Sequence, residues 1–137
     1  MRLPGWEIRL HDVMAAAAAT PYVIGQHDCF RLACRVVEAL TGVDRWPDFA
    51  GYNSKREALR QIARRGASFE AAGDWFFGAG TRIAVPFARR GDIAALQPDP
   101  AGEKHLGVVC GKHIAVLIES GLGYVPLRSA HCAWRVG

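Results

Sequence analysis

Apolar residues recur at helical spacing through the first half of the chain and fall into short separate runs through the second. Trp6, Leu10, Val13, Met14 and Ala17 mark one face of a helix over residues 6 to 19, with Glu7, Arg9 and Asp12 elsewhere on the wheel. Thr20-Pro21 ends it, because a residue before proline is pushed out of the helical region. Tyr22-Val23-Ile24 reads as a short extended connector into a turn at Gly25. A second helix opens near Cys29: Ala33, Val36, Val37 and Leu40 follow it on one face, and Gly42 stops it. Residues 43 to 52 are aromatic and aperiodic, a covering segment. Ser54 with Glu57 forms a capping box, so a helix starts there and runs to Arg65, burying Leu59, Ile62 and Ala63. Ser68 to Ala72 reads as a short helical piece, and Trp75-Phe76-Phe77 as a loop plugging the core.

After Ile83 the period changes. Ile93 to Leu96, Leu106 to Cys110, Ile114 to Ile118 and Tyr124 to Leu127 are strand-length apolar runs between turn residues, with a tight hairpin at Gly111-Lys112. Ala133 to Val136 adds a last strand. The expected class is α+β, N-terminal helices packed on a small antiparallel sheet, in one domain over 1–137.

Charge refines this picture little. Seventeen basic against 13 acidic residues give +4, too small and dispersed an excess to point to nucleic acid. Arg56, Arg60 and Arg64 stack at i, i+4, i+8, the pattern of a solvated helix face or an anionic partner's site. No apolar run reaches the length of a membrane span, and the N-terminus lacks the form of a signal peptide. Synthesis in a cytoplasm, without export on its own, is therefore expected. The four cysteines contain no C-x-x-C pair, which argues for free thiols over a disulfide framework or a structural zinc site.

The chemistry centres on Gly25-Gln26-His27-Asp28-Cys29-Phe30. A thiol in a helix's first turn sees unpaired backbone N–H groups and the positive end of the dipole, which favour thiolate. Equally, a small cysteine on an apolar-faced helix suits a buried core position. A nucleophile needs a base, and there are five histidines: His11, His27, His105, His113 and His131. His105 opens a strand directly after a Pro/Gly-rich loop. His27, Cys29 and His105, with His131 or Cys132, lack compact metal-ligand spacing, so neither a metal nor another cofactor is expected.

Gly25-x-x-Asp28-Cys29, then Arg90-Gly91-Asp92-Ile93, then His105-Leu106-Gly107-Val108-Val109-Cys110-Gly111 resemble, in this order, the motifs of the NlpC/P60 cysteine peptidases. The chain looks most like their small phage tail-associated branch. The resemblance implies a papain-like fold, Cys29 as nucleophile and His105 as general base. It implies Asp28 as helix cap, Tyr22 and the Cys29 N–H near an oxyanion hole, and a helical insertion at about 44–84. It also implies a peptidoglycan-peptide substrate and, as partners, other phage tail or baseplate proteins in a virion tail, with no nucleic acid. The family's third polar residue lies on the strand after the histidine strand. The matching place here is near Ala115, with Glu119 and His113 the nearest polar residues. Phe30 stands where the family usually has serine. A structural subunit that keeps the fold with little or no activity is the alternative.

Overall fold

The computed structural model describes residues 1–137. Helices α1 (Trp6–Ala19), α2 (Cys29–Thr41), α3 (Lys55–Arg65) and α4 (Phe69–Phe77) precede the whole of the sheet. The strands are β1 (Arg82–Ile83), β2 (Ile93–Leu96), β3 (Leu106–Cys110), β4 (His113–Ile118), β5 (Gly121–Pro126) and β6 (Ala130–Trp134). They pair antiparallel in the order β1-β6-β2-β3-β4-β5, so the α+β expectation holds. No helix is long and apolar enough to cross a membrane.

Period-2 alternation gives the sheet two apolar faces. Ile93, Ala95, Leu106, Val108, Leu117 and Trp134 meet Leu32, Ala33, Val36 and Leu40 of α2 in the main core. Each fully buried aliphatic side chain there contributes roughly 1.5–3 kcal/mol of transfer free energy. Ala94, Leu96, Val109, Ile114, Val116, Ala130 and Ala133 form a second cluster under the partly buried Ile83, Val85, Val125 and Leu127. This two-sided burial explains why the strand sequences are apolar runs rather than alternating ones. Asp92, fully buried before β2, clasps the chain's two ends. It accepts from Arg2 Nη2 at 3.0 Å, Val136 N at 3.1 Å and Arg89 N at 2.8 Å.

The segment between α2 and β1 departs from the sequence reading in two places. Trp75-Phe76-Phe77 is helical, the last turn of α4, and not a loop. Ser68 caps that helix by accepting from Ala71 N, and Gly73 is where α4 lies on Trp134: a Cβ there would meet the indole Cζ2 at 2.2 Å. Trp134 Nε1 donates to Asp74 at 2.9 Å, one turn of chain from Phe77. Tertiary packing thus overrides the modest helix propensity of glycine and aromatics. On α3 the expected cap is present, with Ser54 accepting from Glu57 N, but the Glu57 carboxylate reaches back to Asn53 N at 3.1 Å, one residue before the cap. The buried residue, however, is Ala58, packed with Phe49, Tyr52, Phe76 and Cys34 beside a partly buried Ile62. Leu59 is 64% exposed and Ala63 is exposed as well. Finally, β6 begins earlier than expected and ends at Trp134.

Candidate active site

The nucleophile side of the site is built by three consecutive residues. Val23 and His27 pair across a tight turn, with N···O distances of 3.0 and 2.7 Å, and Gly25 sits at its tip with φ of 79°. Beyond that conformation, a Cβ on Gly25 would lie 2.1 Å from the Tyr52 carbonyl oxygen, so glycine is required twice over. His27 is buried and fully engaged: Arg35 Nη1 lies 2.9 Å from Nδ1, and Nε2 lies 3.1 Å from the Ala17 carbonyl. A guanidinium can only donate, so Nδ1 accepts and Nε2 carries the proton. Asp28 is the helix cap: Oδ1 accepts from Arg31 N at 2.9 Å. Its Oδ2 accepts from Gly25 N at 2.8 Å and from the Tyr52 hydroxyl in a short hydrogen bond. Burial and the adjacent Asp28 charge raise the Tyr52 phenol far above its ordinary range, so its O–H remains a donor. These bonds fix Cys29 at the first position of α2.

The imidazole side is built by the loop before β3. Asp99 folds it: Oδ1 accepts from Ala101 N and Glu103 N, both at 2.9 Å. The backbone closes it with Asp99 N to Glu103 O at 2.9 Å and Gly102 N to Asp99 O at 2.8 Å. The second carboxylate oxygen, Oδ2, lies 3.2 Å from His105 Nε2. Hydrogen bonds from the Glu103 backbone and from His105 hold the Asp99 carboxyl below the usual range. An ionised Asp99 can only accept, which places the imidazole proton on Nε2 and leaves the Nδ1 lone pair free. Lys55, at the start of α3, spans Glu103 at 2.9 Å and Glu119 at 3.2 Å, tying this loop to the β4–β5 turn.

Cys29 and His105 open into one cleft of 450 Å³, with Tyr22 and Asp28 also on its wall. Ala58, Leu59, Ile62 and Ala63 of α3 form the apolar side, and Glu103 and Lys104 contribute a polar rim. The thiol is half-buried, and burial pushes it up to about 12; the Leu106 backbone and the N–H groups of Cys29 and Phe30 act in the opposite direction. Burial likewise pushes Tyr22 up to about 12, which keeps its hydroxyl protonated. Phe30 also lines the cleft and joins an aromatic cluster, its ring 4.8 Å from Phe49 and 6.0 Å from Phe69. Chemically, the cleft holds a protonated thiol, an imidazole with a free lone pair and an ionised carboxylate behind it.

All four candidate residues, Cys29, His105, Tyr22 and Asp28, therefore line the same cleft. The polar partner of His105 is not near Ala115, which is buried in β4 opposite Val108. It is Asp99, six residues before the histidine on its own loop. The only signal for it in the sequence was the Pro98-Asp99-Pro100 turn chemistry. Tyr52 was likewise missed, because its link to Asp28 spans 24 residues. His113 is exposed at the start of β4, and His131 faces Glu70 at 3.8 Å. The four cysteines are free. One group of possible cation ligands exists, Asp99, Glu103 and His105, with ligand atoms within 4.8 Å of one another. Two backbone N–H groups and Lys55 already engage its carboxylates.

No curated protein matches the sequence. Residues 1–136 match the model of the family described as Domain of unknown function (DUF6950), and the chain belongs to that family.

Proposed function

We propose that the protein is a cysteine hydrolase of the NlpC/P60, papain-like type that cleaves amide bonds in peptidoglycan peptides, within a phage tail tip or baseplate. The observation that carries this reading is the shared cleft: Cys29 at a helix start, His105 at a strand start, and Asp99 on the far ring nitrogen of His105. In the reaction, His105 Nδ1 takes the Cys29 proton as Sγ attacks the carbonyl carbon. The carbonyl π bond opens to an oxyanion facing the Cys29 backbone N–H and the Tyr22 hydroxyl. Collapse breaks the C–N bond, and the imidazolium returns its proton to the leaving amine. Water, deprotonated by His105, then hydrolyses the thioester and restores the thiol. Because burial holds the thiol protonated at rest, proton removal accompanies attack and no thiolate–imidazolium pair stands ready beforehand. Asp99 stabilises the imidazolium that forms and fixes its tautomer.

The test is incubation of the reduced protein with purified muropeptides beside Cys29→Ala and His105→Ala, with products separated by mass. Cleavage by the wild type alone is the expected result. Intact muropeptides in every sample would overturn the enzymatic reading. The tail-subunit alternative, fold kept and activity lost, draws on the same thiol burial. It gains support if folded protein resists iodoacetamide at neutral pH and cuts nothing.

A further inference from the structure

The charge of the chain is not dispersed after all. Helix α3 carries Lys55, Arg56, Arg60, Arg64 and Arg65 against Glu57 alone, a balance of +4 that equals the +4 of the entire chain. Two of these cations are committed to the fold. Lys55 bridges Glu103 and Glu119, and Arg65 donates to the Asp48 carbonyl at 2.9 Å while lying 4.4 Å from the Trp75 ring. Arg56, Arg60 and Arg64 are exposed, and none of them joins an ion pair. Like charges at i, i+4 disfavour a helix, so this row costs stability in the free protein. It spans about 12 Å along the axis at 1.5 Å per residue.

Its position relative to the cleft gives the row meaning. Leu59 and Ala63 form the open apolar wall. At 100° per residue, Arg56 lies about 20° from Ala63 and about 60° from Leu59 on the helix wheel. A polymer entering the cleft over Leu59 and Ala63 therefore runs alongside the guanidinium row.

We infer that the outer face of α3 is a docking surface for the carboxylate-bearing peptide–glycan mesh of peptidoglycan, holding the polymer while one of its peptides enters the cleft. This rests on the substrate proposed above. Guanidinium groups match carboxylates in planar two-point geometry, and an exposed row with no internal partners favours contacts to many equivalent anions over one deep pocket.

Binding can be measured without catalysis. The Cys29→Ala protein is mixed with purified, insoluble sacculi in low salt, and the fraction that sediments is measured. A second sample uses sacculi whose carboxylates have been converted to amides. Sedimentation should weaken about tenfold in apparent affinity for the Arg56→Gln/Arg60→Gln/Arg64→Gln variant, and comparably for amidated sacculi or at 0.5 M salt. Circular dichroism melts check that the variant is folded, and the glutamine set avoids charge reversal. Failure of the parent protein to sediment, or equal sedimentation of the variant, would overturn the inference. Tighter binding to a single-stranded oligonucleotide than to sacculi would also overturn the choice of partner. If the sacculi are bound through these arginines while muropeptides remain uncut, the docking surface stands and the hydrolase reading falls.

Discussion

Asp28 supplies the sharpest test of how the cleft is built. Its buried carboxylate accepts three hydrogen bonds, from Arg31 N, Gly25 N and the Tyr52 hydroxyl. In Asp28→Asn the cap to Arg31 survives, since asparagine is as good an N-cap. The amide NH₂ then faces two donors. Tyr52 can turn its hydroxyl to accept, but the partly buried Gly25 N–H cannot, and orphaning such a donor costs about 1–3 kcal/mol. Asp28→Ala loses the cap as well, about 1 kcal/mol, and orphans both Gly25 and Tyr52, for a total of about 4 kcal/mol. Against a typical stability of 5–15 kcal/mol that is a large fraction. Urea unfolding monitored by tryptophan fluorescence should give about 2 kcal/mol for Asp28→Asn and about 4 for Asp28→Ala, with unchanged m. Combining Asp28→Ala with Tyr52→Phe should be less than additive, because the second change removes a group the first has orphaned. Asp28→Asn within about 0.5 kcal/mol of wild type, together with lost activity, would refute the reasoning. That outcome would make Asp28 a charge needed by the chemistry rather than a cap.

Three further outcomes follow from the geometry. Asp99→Ala should lower kcat on muropeptides about a hundredfold, since general acid–base catalysis by an oriented imidazole is worth 10²–10⁴-fold, while thermal melting barely moves because Asp99 lies on an exposed loop. Between pH 9 and 12 the unfolded chain gives up the Cys29 proton that the folded chain, with its thiol at about 12, retains. Stability is therefore unaffected below pH 9 and falls as pH rises through that window, by at most about 1.4 kcal/mol per pH unit from this group; melting curves of Cys29→Ala should show a shallower alkaline decline. Gly73→Ala drives a methyl into the ring of Trp134, whose side chain is fully buried, and should cost about 1–3 kcal/mol by urea titration.

How much of this was legible in the sequence depends on the distance over which each constraint acts. The caps at Asp28 and Ser54 act over three residues, and each is found accepting from the backbone three positions on. The strands were visible because four consecutive buried residues in β2, Ile93 to Leu96, have few alternatives in a chain with such turn chemistry. What failed was rotational phase and long-range pairing. The wheel of α3 admits either Ala58 with Ile62 or Leu59 with Ala63 as its inner face, and only the aromatic cluster of Phe49, Tyr52 and Phe76 decides between them. Trp75 to Phe77 carry no helical period of their own and become helical against Trp134 and its bond to Asp74. The place one strand downstream expected to hold the partner of His105 is buried and apolar in β4, whereas the loop itself turns Asp99 back on the ring.

The two halves of the cleft are secured by different means, and this separates their responses to mutation. Cys29 is held by Asp28, Tyr52 and His27, whose polar contacts are buried in the fold. Buried, fully paired groups are costly to break, so damage on this side should first appear as lost stability. His105 is held by an exposed loop whose carboxylate accepts local backbone N–H groups and whose tie to α3 is the solvent-exposed Lys55–Glu103 pair. Exposed ion pairs are weak and screened by salt, so damage here leaves the fold intact and changes only the presentation of the imidazole. The thiol is thus the fixed reference of the site and the imidazole its adjustable member, tied to the same helix that walls the cleft and bears the arginine row. A polymer settling on α3 would act on the base side of the site through Lys55 and Glu103 while leaving Cys29 where the core has placed it.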